Sequence, residues 1–182
     1  MKRILTTFFC IIMMSINMIP TYAATGTTME MICENEDVQE IISDDQGHVM
    51  QLTDCYIENI DQELYAVVSE YETAENGARA AYKTKYCTKY YNIKNKNTGN
   101  IQVQFILHGD FKYNGSSSSC TDAYVEAKNY NTAKYAIISK TKAISGNKAY
   151  GYCRARNKNT GTEFARTIWI SVSATGTVTK SS

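Results

Sequence analysis

From Ala81 to Ser182 apolar and polar residues alternate in short runs broken by turn residues, the pattern of β-strands with one packed face and one wet face. Ile101, Val103, Phe105 and Leu107 alternate with Gln102, Gln104, Ile106 and His108, and Phe164, Ile168, Ile170 and Val172 alternate with Ala165, Thr167, Trp169 and Ser171. Tyr82, Tyr86 and Tyr90 stand opposite Lys83, Lys85 and Lys89, while Tyr150 and Tyr152 stand opposite Ala149, Gly151, Cys153 and Ala155. Asn114-Gly115 and Gly146-Asn147 separate strand-like runs and tolerate the positive φ of tight turns. The segment Asn95-Lys96-Asn97-Thr98-Gly99 recurs as Asn157-Lys158-Asn159-Thr160-Gly161, which predicts two similar hairpins in one domain. No proline follows Pro20, so nothing bars these strands from central positions in a sheet.

Upstream the pattern changes. Ile57, Ile60, Leu64, Val67 and Val68 have a spacing closer to helical period than to alternation, and Asn76-Gly77 marks a break. The expectation is an all-β domain over residues 81–182, a two-sheet antiparallel sandwich with an immunoglobulin-like outline. A short acidic segment, helical or partly disordered, precedes it over residues 24–80.

Residues 1–23 have the three parts of a cleavable secretory signal: Lys2 and Arg3, an apolar stretch from Ile4 to Ile19, then Pro20 and the small-residue site Thr21-Tyr22-Ala23-Ala24. Thr6, Thr7, Ser15 and Asn17 interrupt that stretch, and it is shorter than the roughly 20 residues that cross a bilayer. The expected location is secreted and extracellular, with no integral membrane segment in the mature chain.

The formal net charge of +1 conceals a division. Residues 26–80 carry fourteen Asp and Glu against Arg79 alone; residues 81–182 carry sixteen Lys and Arg against Asp110, Asp122, Glu126 and Glu163. Either the acidic segment folds back onto the basic domain, or the basic domain meets an anionic partner such as a wall polymer or an extracellular protein, or both charges serve solubility. Lys83, Lys85, Lys89, Arg154 and Arg156 are the candidate binding residues. Nucleic acid is a poor partner for an exported chain without a recognition motif.

Cys33, Cys55, Cys87, Cys120 and Cys153 remain once Cys10 leaves with the signal, an odd number in an oxidising compartment. Of the possible pairings, Cys33 with Cys55 and Cys120 with Cys153 are preferred. Cys87 is then left over, flanked by Lys85 and Lys89, whose charges favour a thiolate; a buried inert thiol is the plainer outcome. The spacings fit no zinc site, and no other cofactor is implied.

His108-Gly109-Asp110 places a carboxylate near an imidazole, and Cys87 completes a nucleophile set only if the fold gathers them. The many tyrosines suit strands near a sheet surface, with a ring-lined platform for sugars as the functional alternative. The leading expectation is a non-enzymatic module binding an anionic partner through a basic face. A secreted effector or inhibitor with an acidic pro-region and a thiol-dependent enzyme built on Cys87 remain as alternatives.

Phe111-Lys112-Tyr113-Asn114-Gly115, Cys120-Thr121, Ser145-Gly146-Asn147-Lys148-Ala149 and Trp169-Ile170-Ser171 with Gly176 resemble uncharacterised small secreted proteins of Gram-positive bacteria. The likeness covers about residues 82 to 180. It implies an exported β-rich fold and carries over no catalytic residue.

Overall fold

The structure, a computed structural model, describes residues 40–43, 46–74 and 82–179. The expected signal, residues 1–23, lies outside them. Among the described residues there is no helix, and therefore none long and apolar enough to cross a membrane. Ten strands form: β1 Ile41–Ser43, β2 Val49–Asn59, β3 Leu64–Thr73, β4 Lys83–Asn95, β5 Ile101–Tyr113, β6 Ser118–Asn129, β7 Tyr135–Ser145, β8 Lys148–Asn157, β9 Glu163–Val172 and β10 Val178–Thr179.

They make two antiparallel sheets, one of six strands in the order β1-β2-β3-β4-β5-β6 and one of four in the order β10-β9-β8-β7. Each strand pairs only with its neighbours in sequence, so the expected two-sheet outline is present while the Greek-key order of an immunoglobulin fold is not.

The alternation explains how the sheets meet. Val103, Phe105, Leu107 and Phe111 of β5, with Ala123 and Val125 of β6, turn toward Ala149, Cys153 and Ala155 of β8 and Ile168, Ile170 and Val172 of β9, and together they form one core. Removing a large apolar side chain of this kind from water contributes roughly 1.5–3 kcal/mol. Small residues on the inner face of β8 let the sheets approach closely: a Cβ on Gly151 would stand 3.1 Å from both Ile168 Cγ1 and Val125 Cγ2.

The duplicated pentapeptide is the β4–β5 and the β8–β9 loop. In each copy the leading Asn folds its Oδ1 back onto the loop, Asn95 accepting from the N–H of Asn97 at 3.0 Å and Asn157 from that of Asn159 at 2.9 Å. Each copy closes on a glycine at positive φ, 68° at Gly99 and 73° at Gly161.

The acidic segment departs from expectation. Residues 49–59 and 64–73 are strands β2 and β3, not helices, and the boundary drawn at residue 80 falls between two strands of one sheet. β3 pairs with β4 from Leu64 opposite Asn95 to Glu72 opposite Cys87. The misreading has a physical cause. Leu64, Ala66 and Val68 enter the core between the sheets, while Val67, Ser69 and Tyr71 on the opposite face of β3 are buried as well. A strand buried on both faces shows no alternation, and Ile57, Ile60 and Leu64 belong to a hairpin whose turn is closed by the Ile60 N–H donating to the Leu64 carbonyl at 3.2 Å.

Candidate binding face

Basic side chains follow two fates in this fold, decided by the face of the strand on which each falls. On β4 the inward set is Lys85, Cys87, Lys89, Tyr91 and Ile93, since Cys87, Tyr91 and Ile93 belong to the core between the sheets. Lys85 and Lys89 are 5% and 2% exposed. Lys85 Nζ donates to Glu72 Oε2 at 2.9 Å, and Lys89 Nζ donates to Glu70 Oε1 directly across the β3–β4 ladder. Both acids come from the acidic segment, so that segment does fold back onto the basic half. The second oxygen of Glu70, Oε2, has no hydrogen-bond partner among the described residues.

Lys85 and Lys89 are therefore withdrawn from the expected binding set. Both side chains are buried and each ammonium is already paired with a carboxylate, so neither is presented on an open basic face. Lys83, half-buried at the start of β4, lies 6.0 Å from the centre of the Tyr113 ring.

The four-stranded sheet behaves differently. Between Tyr135 and Thr179 there are seven Lys and Arg against one acid, Glu163. Four of the seven are engaged at the rim or with the larger sheet. Lys142 donates to Asp122 at 3.0 Å, Lys140 lies 5.9 Å from the Tyr124 ring centre, Lys158 donates to the Thr132 carbonyl at 2.6 Å, and Arg166 reaches Tyr91 at 2.7 Å and Glu58 at 3.1 Å.

Lys148, Arg154 and Arg156 remain, all on the outward side of β8 because Ala149, Gly151, Cys153 and Ala155 occupy its inward side. Tyr150 and Tyr152 stand between them on the same face, their rings nearly parallel at 7° with centres 6.2 Å apart. Trp169 faces Tyr150 across the β8–β9 ladder, and Lys148 Nζ lies 4.9 Å over its ring. Arg154 and Arg156 both donate to Glu163, the latter through Nε at 2.9 Å. The hydrogen bonds from Arg156 and Arg154, with their charges adding less, hold the Glu163 carboxyl below its ordinary value. Beside this row the outward residues are small: Ser139 and Thr141 on β7 face Arg154 and Tyr152, while Thr167 and Ala165 on β9 face Tyr152 and Arg154.

Arg154 and Arg156 thus stand where the sequence places them, on an open face. Lys148, Tyr150, Tyr152 and Trp169 complete the face and were missed as site residues. The signal was present in the run from Lys148 to Arg156, where large basic and aromatic residues alternate with Ala149, Gly151, Cys153 and Ala155.

The cysteines divide as well. Cys55 is disulfide-bonded, and Cys33, its expected partner, lies outside the described residues. The bridge expected between Cys120 and Cys153 is absent. Both are buried free thiols on different sheets, and Cys120 Sγ donates instead to the Asp122 carbonyl at 3.1 Å. Burial pushes both thiols up to about 11, with Asp110 and Asp122 adding to the effect at Cys120. Cys87 is the reverse of an activated thiol. Burial raises it well above its ordinary value, Glu72 adds to that, and Lys85 opposes it without prevailing.

The Cys87–His108–Asp110 set is not assembled, because the Cys87 side chain enters the core while His108 lies on the other face of the sheet. His108 Nδ1 is 3.0 Å from Thr88 Oγ1 and Nε2 is 3.5 Å from Glu126 Oε1, beside a shallow pocket of about 180 Å³. A second pocket, of about 380 Å³, lies over Glu70, Glu72 and Lys85. Among the described residues no three His, Cys, Asp or Glu are grouped to hold a metal ion.

The fold and this face define a β-sandwich with an open aromatic and cationic sheet surface. No family model, no curated protein and no solved structure matches the chain.

Proposed function

We propose that this chain is a secreted, non-enzymatic β-sandwich module that binds an anionic extracellular partner through the outward face of its four-stranded sheet. One observation carries the reading: Lys148, Arg154 and Arg156 share an open face whose single acid, Glu163, offsets only part of their charge. A surface of this sign attracts polyanions and accelerates their capture. The export pattern of residues 1–23 and a Cys33–Cys55 bridge belong to the same proposal, since disulfides persist outside the cytosol. A removable acidic pro-region fits less well. Removing residues 24–80 would strip β2 and β3 from the sheet and leave Lys85 and Lys89 without their acids.

The test is retention of the whole secreted chain on purified Gram-positive cell wall and on immobilised polyphosphate at rising salt. Retention that weakens with ionic strength, and weakens further in R154A/R156A, supports the proposal. Elution that ignores both salt and the two arginines would overturn it.

A further inference from the structure

Resting on that reading, we infer that the anionic partner is an acidic polysaccharide whose pyranose rings lie against Tyr150, Tyr152 and Trp169 while its carboxylate or sulfate groups meet Lys148, Arg154 and Arg156. A plain polyanion has a use for the three cations and none for the rings. Yet Tyr152 is 43% exposed, and Tyr150 and Trp169 are partly exposed beside it. Aromatic side chains held at a surface lose little entropy on binding and offer broad apolar area with a polar tip. The axial C–H face of a pyranose matches such a ring, and its hydroxyls both donate and accept hydrogen bonds.

The neighbouring residues suit hydroxyls too. Ser139, Thr141 and Thr167 flank the β8 row with short hydroxyl side chains, and Glu163 can accept from a sugar hydroxyl. Along β8 the order is Lys148, Tyr150, Tyr152, Arg154, Arg156. Aromatic contact is thus central and cations stand at both ends, the layout for a chain ligand lying along the strand with charge on successive units. Single-stranded nucleic acid also combines flat rings with anions. The carboxylate of Glu163, amid the cations, disfavours a continuous phosphate backbone more than a polymer with hydroxyls between its charges.

The experiment compares the whole chain's affinity for polygalacturonate oligomers, polyphosphate and oligo-dT of matched charge, with emission of Trp169, the single tryptophan, as a second readout. Polygalacturonate should bind about tenfold tighter than polyphosphate and alone shift the emission. Y150A/Y152A should abolish that advantage by weakening polygalacturonate far more than polyphosphate, and should remove the emission shift.

Equal affinities with no emission change would overturn the polysaccharide assignment and leave the charge reading standing. Tighter binding of oligo-dT with an emission shift would overturn it in favour of nucleic acid. Failure to bind any of the three would remove both proposals.

Discussion

Lys85 and Lys89 on β4, and Arg154 and Arg156 on β8, occupy alternate positions of strands of similar pattern, yet one pair is sealed between the sheets and the other is open to water. The difference lies in what shares their face. On β4 the lysines alternate with tyrosines and threonines, and Cys87, Tyr91 and Ile93 on the lysine side draw that face inward. On β8 the arginines share a face with tyrosines while Ala149, Gly151, Cys153 and Ala155 fit the narrow gap. Charge did not decide which face was buried; the volume and polarity of the whole set did. An inward lysine then requires a carboxylate, and β3 supplies two.

The sharpest way to break this comparison is to remove one charge from each group. Lys89→Ala leaves Glu70 buried and unpaired, and the expected loss is about 3–5 kcal/mol in urea unfolding. Arg156→Ala, at an exposed pair, should cost less than about 1 kcal/mol. Similar losses at the two sites would mean that β4 does not face inward. Replacing both members of the buried pair, K89M/E70L, should recover most of the loss, because well-packed apolar residues of similar volume substitute for a buried ion pair.

A smaller effect tests the closeness of the sheets beneath the arginines. Gly151→Val would press on Ile168 and Val125, and overpacking of this kind costs about 1–3 kcal/mol. An unchanged unfolding midpoint would show a looser interface than the one described.

Smaller still is the expected response of Glu163. Its folded carboxyl is lowered by Arg156 and Arg154, so any stabilisation is present above the unfolded value of about 4.3 and lost as pH falls through the lowered folded value. Both partners are exposed, and the change in stability should be slight. Binding reports it better: Glu163→Gln frees both guanidinium groups and should raise the salt needed to elute the chain from a sulfated polymer, with little change in unfolding. Earlier elution of the variant would mean that Glu163 positions the arginines and does not compete for them.

Much of the fold was legible where strands of the basic half bury one face, as β8 does, or keep polar residues on a second buried face, as β5 does with Gln102 and Gln104. β5 and β9 kept the expected phase, as did the turns at Asn114-Gly115, Gly146-Asn147 and the two Asn-Lys-Asn-Thr-Gly loops. β4 was read in the opposite phase for function, since a lysine row looks solvated unless its carboxylates, at Glu70 and Glu72, are known to lie across the ladder. β3 was hidden by its burial on both faces. The binding face was half visible: Arg154 and Arg156 stood out by charge, but placing Trp169 beside Tyr150 requires the β8–β9 register, which residue spacing within a single strand does not contain.

The Glu70–Lys89 pair also restricts how the two halves of the chain can align. A slip of two residues between β3 and β4 would set Lys89 against Val68 in one direction and Glu70 against Tyr91 in the other, stranding a charge among apolar neighbours. A slip of one would turn the faces over. The pair thus acts as a key that admits one alignment, and K89M/E70L should retain stability while losing that selectivity, seen as doubled amide resonances along β3.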